Sequence, residues 1–260
     1  RWFKRGLWWF SDRLFDPTWV PRFNEFRRGL GLKDVRRPMN GWWNSPDGAV
    51  GLWPEWFAPT QPDWPPHLRL SGFALHDRAD TDRPPEELAR WLDDGPAPVV
   101  FTHGSANVQG ARFFEASVAV SERLGLRGLL VTSHPEDVPT RLPPSIRHES
   151  YVPFSLLLPR AAALVSHGGI GTVAQGLRAG IPQLVVALAH DQHDNGSRLE
   201  DLGAGRWLDV ARYSARTGAA LLGDLLDGGA VASRARSCAD RIRSEDGAQA
   251  AAEAVLRLGG

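Results

Sequence analysis

From Pro98 to the C-terminus, short apolar runs alternate with segments of helical period, and that alternation does most to limit the folds open to the chain. Strands are predicted over 99–102, 128–132, 146–151, 163–166, 183–186 and 205–208. Helices are predicted over 112–124, 155–158, 171–179, 195–202, 215–226, 230–244 and 248–258. Runs such as Val99-Val100-Phe101 and Leu184-Val185-Val186 are apolar at every position, so both faces of their sheet must be covered. The pattern reads as an α/β fold, a parallel sheet with helices on both faces. Right-handed crossovers then gather the loops that follow the strands on one edge, where ligands of such sheets bind.

Those loops hold the chemistry-bearing residues: Thr102-His103-Gly104-Ser105, Thr132-Ser133-His134, Tyr151-Val152-Pro153-Phe154, Ser166-His167-Gly168-Gly169 and His190-Asp191-Gln192. The richest is the run from Leu164 to Gln175, in which an apolar strand ends in His-Gly-Gly and a helix opens at once. Gly168 and Gly169 let the backbone approach a ligand closely, Gly171 and Thr172 begin the helix, and its free N–H groups and positive end suit a phosphate. Gly104-Ser105 is a weaker phosphate signal of the same kind. Asp191 and Gln192, a carboxylate beside an amide, can hold the neighbouring hydroxyls of a hexose. Asn195 reads mainly as the cap of the helix that follows. Tyr151 and Phe154 are either a platform for a planar base or two core aromatics at a strand end. His103 reads as an ordinary loop histidine. Gly169-Ile170-Gly171-Thr172-Val173-Ala174 also matches the dinucleotide pattern G-x-G-x-x-A, but it follows several strands instead of opening its domain.

The first part of the chain has another character. Ten of the eleven tryptophans fall between Trp2 and Trp91. The apolar residues from Trp2 to Phe26 fall mostly at helical spacing. Pro-rich stretches then surround strand candidates at 49–53 and 68–75, and an acidic, Pro-containing stretch carries one short helix over 85–92. The organisation expected is a tail of an incomplete N-terminal domain over 1–75, a linker over 76–97 and a ligand-binding domain over 98–260. The chain opens at Arg1, without Met, inside a helical pattern, so it reads as a fragment.

Charge excludes one class of partner. Thirty basic residues balance thirty acidic ones, so no bulk field favours nucleic acid. Cys238 is the lone cysteine, no apolar run approaches the roughly 20 residues of a membrane span, and no signal peptide opens the chain, so a cytoplasmic protein is expected. No His/Cys/Asp cluster has metal-ligand spacing, so no metal is predicted.

The residues from Pro98 onward resemble the C-terminal, donor-binding half of the UDP-glycosyltransferase family, of the GT-B fold. The nearest branch holds bacterial rhamnosyltransferases, antibiotic glycosyltransferases and sterol-glucosyltransferase-like enzymes. Tyr151-Val152-Pro153, His167-Gly168-Gly169-Ile170-Gly171-Thr172, Ala179-Gly180-Ile181-Pro182 and Asp191-Gln192 stand in that family's order. The resemblance implies metal-independent, inverting transfer of a hexose from a UDP- or dTDP-sugar to a small, apolar acceptor such as a lipid, sterol or polyketide, with no cofactor. It assigns His167, Gly168, Gly169, Gly171, Thr172 and Ser105 to the diphosphate, Tyr151, Val152 and Gln175 to base and ribose, and Asp191 and Gln192 to the sugar. Gln175 stands where many relatives carry glutamate, and Ser166 where bacterial relatives often carry a second histidine. No residue matches the family's catalytic base, and peripheral contact with a membrane stays open.

Overall fold

The computed structural model describes residues 2–38, 42–104, 110–227 and 229–258. Helix α1 (Trp2–Gly29) is followed by β1 (Ala49–Gly51), β2 (Leu68–Leu70) and α2 (Glu86–Asp93). The alternating series then runs β3 (Val99–Thr102), α3 (Ala111–Leu124), β4 (Gly128–Val131), β5 (Ile146–Glu149), α4 (Phe154–Leu157), β6 (Ala163–Ser166), α5 (Ile170–Ala179), β7 (Gln183–Ala187), α6 (Gln192–Asp201) and β8 (Gly205–Asp209). Helices α7 (Ala215–Leu226), α8 (Ala230–Arg243) and α9 (Gly247–Leu256) complete the chain.

Strands β3 to β8 form one wholly parallel sheet in the order β5-β4-β3-β6-β7-β8. The chain builds outward from β3 to β5, returns to set β6 beside β3, and then builds the other way. The strand order therefore reverses between β3 and β6, which opens a crevice at their C-terminal ends.

Successive residues of each strand point to opposite faces, and both faces are buried as the unbroken apolar runs demand. Val99, Phe101, Leu130, Val165, Leu184 and Val186 pack under α3 and α7, through Phe114, Val118 and Leu222. Val100, Leu129 and Leu164 face the other way, onto Leu88 and Leu92 of α2 and Leu157 of α4. Val185 and Ala187 share that second side with Val173 and Leu177 of α5 and with Ala235, Cys238 and Ile242 of α8. Fully burying side chains of this size contributes about 1.5–3 kcal/mol each.

The N-terminal strands are shorter than the sequence implies, three residues each, paired in parallel as a separate ribbon. Pro54 follows closely on β1, and Gly72 beyond β2 takes φ 91°, which ends the extended run. Packing does not part at residue 75: Phe57, Ala58 and Phe73 are buried in the same cluster as Val173, Leu177 and Ala235. Trp56 Nε1 donates to Glu245 Oε1 at 2.9 Å, and Gly247 of α9 lies against the backbone of Gly72 and Phe73. Helix α1 carries Pro17 and Pro21 and exposes Trp9, Phe10, Leu14, Trp19 and Phe26. None of the described helices is long and apolar enough to cross a membrane.

Candidate functional site

A cleft of about 740 Å³ opens at the C-terminal edge of the sheet, over the crevice between β3 and β6. Its walls come from the ends of β3 and β4 and the loops after β3, β4 and β5, from the first turns of α5, and from residues 73–78.

The turn from β6 into α5 is built for close approach. Gly168 N–H donates to the Ser166 hydroxyl at 3.2 Å, so this serine shapes the turn. Gly168 takes φ 88°, and a Cβ there would lie 2.4 Å from Val185 Cγ1. No side chain caps α5: the Thr172 and Val173 N–H groups bond to Gly169 O, and the opening residues Ile170 and Gly171 line the cleft with Thr172. A helix end of this kind carries about half a positive charge.

The His167 imidazole is wedged between two glycines. A Cβ on Gly104 would lie 2.6 Å from its Cε1, and one on Gly169 2.5 Å from its Nε2. Burial pushes its pKa below the ordinary histidine value, nearby His103 adds to that, and Asp191 opposes it. A neutral ring results at neutral pH, with one nitrogen donating and the other accepting. Its Nδ1 is buried with no hydrogen-bond partner. His103 is itself buried, its ring tilted at 38° against Phe113 with centroids 5.0 Å apart, and its pKa is lowered by burial against the pull of Asp137. Its position one residue past β3, at the strand-order reversal, is the signal that could have singled it out.

Gln175 lies one turn deeper in α5, 6% exposed. Its Nε2 donates to the His76 carbonyl at 3.3 Å, while its Oε1 is buried and unpartnered. Tyr151 is 40% exposed at the cleft's rim, whereas Val152 beside it is buried.

The loop after β7 is stitched to the glycine turn. Asn195 Nδ2 donates to Gly168 O at 2.9 Å and to Asp191 Oδ2 at 2.8 Å. This corrects the capping role expected of Asn195: α6 begins three residues earlier, at Gln192, and Asn195 is buried inside it. The cause is local. His190 takes a left-handed φ of 58°, and Gln192 Oε1 accepts from Leu188 N at 2.8 Å and Ala189 N at 3.0 Å, so the helix is wound from Gln192 onward. The Gln192 oxygen is thereby committed to its own loop, while Asp191 is exposed. Ser105 lies outside the described residues.

Sequence reasoning missed the cleft's outer wall, residues 76–78. The Asp77 carboxylate accepts from Ser155 N at 2.7 Å, from Ser155 Oγ at 3.0 Å and from Ala79 N at 3.2 Å. Burial works to raise its pKa, but these hydrogen bonds together hold it below the ordinary carboxylate value. Arg78 N donates to the Tyr151 hydroxyl at 3.3 Å. Among the described residues, no group of three or more His, Cys, Asp or Glu side chains is placed to hold a metal ion.

Residues 129–258 match the family described as erythromycin biosynthesis protein CIII-like, C-terminal domain. The chain belongs to this family. Among curated relatives of this CIII-like chain, a sterol 3-beta-glucosyltransferase of Arabidopsis thaliana is 31% identical over 224 residues, covering 82% of this chain and 34% of the relative. An O-mycaminosyltylonolide 6-deoxyallosyltransferase of Streptomyces fradiae is 33% identical over 193 residues, covering 74% of this chain and 45% of the relative. The chain thus spans between a third and a half of the length of these two relatives. The crystal structure of the glycotransferase of kitacinnamycin superposes with a TM-score of 0.74 at 24% identity, over 98% of this chain and 67% of that one. The calicheamicin glycosyltransferase CalG4 superposes at 0.62 and 21% identity, over 91% and 64%. The fold is the Rossmann-like C-terminal half of the GT-B architecture.

Proposed function

We propose that this CIII-like chain binds a nucleoside-diphosphate sugar, linked to UDP or dTDP, and forms the donor half of a metal-independent, inverting glycosyltransferase that uses no cofactor. The observation that carries the reading is a helix N-terminus without a side-chain cap on the cleft, accompanied by two buried, unpartnered polar atoms, His167 Nδ1 and Gln175 Oε1. An unsatisfied buried polar atom costs about 1–3 kcal/mol, and two of them beside one cleft call for a ligand that supplies partners.

In this reading the turn Gly168-Gly169, with Gly171, Thr172 and His167, takes the diphosphate, and Ser105 joins them. Tyr151 and the Val152 backbone take the base, and Gln175 Oε1 accepts from a ribose hydroxyl. Asp191 and the Gln192 amide take the sugar. The acceptor oxygen attacks the anomeric carbon and gives its proton to a base outside the residues assigned here. The carbon–oxygen bond to the diphosphate breaks, and the helix end and the imidazole stabilise the charge that grows on the leaving group. The family and the relatives' names point to an apolar small molecule, of the sterol or macrolide class, as acceptor.

Calorimetric titration with UDP, dTDP and NAD in EDTA tests the reading. The expected result is micromolar-to-millimolar binding of UDP or dTDP, weakened about tenfold, or 1.4 kcal/mol, by His167→Ala. Preference for NAD restores the dinucleotide-fingerprint reading, and equal binding by mutant and wild type sinks the assignment of His167.

A further inference from the structure

A diphosphate bound without a metal brings more negative charge than half a helix-end charge and a neutral imidazole can balance. The cleft holds a second source of positive charge. Among the described residues that line it, Arg78 is the sole Lys or Arg, and Asp77 is the sole carboxylate. Residues 105–109 bring neither Lys nor Arg in sequence. The Asp77 carboxylate is spent on Ser155 and Ala79, so it does not cancel the guanidinium.

The backbone beneath Arg78 is held in place and its head is exposed. Asp77 pins the segment to the start of α4, the His76 carbonyl accepts from Gln175, and Arg78 N–H bonds the Tyr151 hydroxyl. The Arg78 side chain, by contrast, is 61% exposed; its Nε lies 3.0 Å from Asp82 Oδ2. Its guanidinium covers the Tyr151 ring, 4.3 Å from the centroid. An exposed ion pair and an exposed cation–π contact are both weak. A forked, charge-assisted contact with phosphate oxygens is stronger than either, and a guanidinium has the geometry for it.

We propose that Arg78 is the counter-ion of the donor's diphosphate. Its guanidinium leaves the Tyr151 ring as the nucleotide enters and pairs with the phosphate oxygens across the cleft from the α5 N-terminus. The exchange uncovers the ring for the base. One group thus guards the base platform in the empty cleft and neutralises the diphosphate in the filled one. The inference rests on the nucleotide-sugar reading above and adds a residue to it that lies outside the glycine turn.

The test is titration of wild type, Arg78→Gln and Arg78→Lys with UDP and with uridine, in EDTA, by calorimetry and ligand-observed NMR. Arg78→Gln is expected to weaken UDP about tenfold or more. Uridine binding should stay level or tighten, because the ring no longer has a cover. Arg78→Lys should restore part of the UDP affinity without the forked contact. Added salt should weaken UDP binding more steeply in wild type than in Arg78→Gln. Equal losses for UDP and uridine, with the same salt slope in both proteins, would reduce Arg78 to a prop for Tyr151 and overturn the inference; no loss for either ligand would do the same. Failure of the wild type to bind UDP or dTDP at all overturns the nucleotide-sugar reading itself, which separates that failure from this one. Because the side chain is exposed, an unchanged melting temperature in the variants is expected and shows that the fold is intact.

Discussion

Two glycines three residues apart carry opposite burdens in the α5 turn, although both belong to one motif. Gly168 sits at φ 88° with Val185 Cγ1 2.4 Å from where a methyl would go, so both backbone and packing exclude a side chain. Gly171 has nothing within 4 Å of its Cβ position and a helical conformation, so a methyl there meets only the space of the cleft mouth. Gly168→Ala is expected to cost about 2–4 kcal/mol, from the left-handed backbone and the overpacking combined. Gly171→Ala is expected to hold or raise stability, by up to about 1 kcal/mol, because alanine is the better helix residue. Its methyl nevertheless crowds the helix end, so UDP affinity should fall. Urea unfolding and UDP titration of the two variants check the contrast. A stable Gly168→Ala, or a Gly171→Ala that binds UDP as wild type does, contradicts it.

At the scale of elements, the site depends on how the loop after β7 is tied to the turn after β6. Asn195 is the knot, since one amide nitrogen serves Gly168 O and Asp191 Oδ2 together. Asn195→Ala should cost about 1–3 kcal/mol through the buried carbonyl left without its donor. It should also erase the advantage of a UDP-sugar over UDP, because Asp191 is no longer held in place. Denaturation midpoints and paired titrations with UDP and UDP-glucose read the two effects separately, and a preserved preference for the UDP-sugar refutes the second. None of this stitching is visible in the sequence, where Asn195 looks like a helix cap. The start of α6 is set by a left-handed non-glycine residue, His190, and by a glutamine bonding its own loop; local propensity favours neither. Strands β3 and β6 were legible to the residue at both ends, because each is a run of three apolar residues closed by a polar one, buried on both faces. The glycine turn was legible for a related reason, since its residue types are dictated by backbone geometry next to those strands. The cleft's outer wall was not, because Asp77 meets Ser155 and Arg78 meets Tyr151 across more than seventy residues of chain. Contacts of that range leave no periodic trace.

Across the whole molecule, the balance of thirty basic and thirty acidic residues conceals a division. Residues 1–43 hold ten Lys or Arg against four Asp or Glu, so the remainder of the chain is acidic by the same margin. The basic segment is also the aromatic one. Its C-terminal half is folded back on itself: Asn24 bonds the Val35 backbone in both directions, at 3.0 and 2.8 Å, and Phe23 packs edge-on against Trp42 at 5.2 Å. Arg27 lies over both rings. That arrangement leaves Phe26 at 65% exposure, Trp43 at 64% and Leu30 at 59%. An apolar surface of this kind drives association in water, whereas the segment's positive charge repels its own copies. The two effects respond to salt in opposite ways. Screening removes the repulsion between exposed charges over about 8–10 Å and leaves the apolar attraction in place. The purified chain is therefore expected to self-associate more strongly as salt rises, in a concentration-dependent manner visible by sedimentation velocity. Phe26→Ser with Trp43→Ser should return it toward the monomer while leaving UDP binding unchanged, since neither residue lines the cleft. Association that weakens with salt instead would assign it to contact between the basic segment and the acidic remainder of a second copy. Association that survives the double substitution would place the contact elsewhere on the chain.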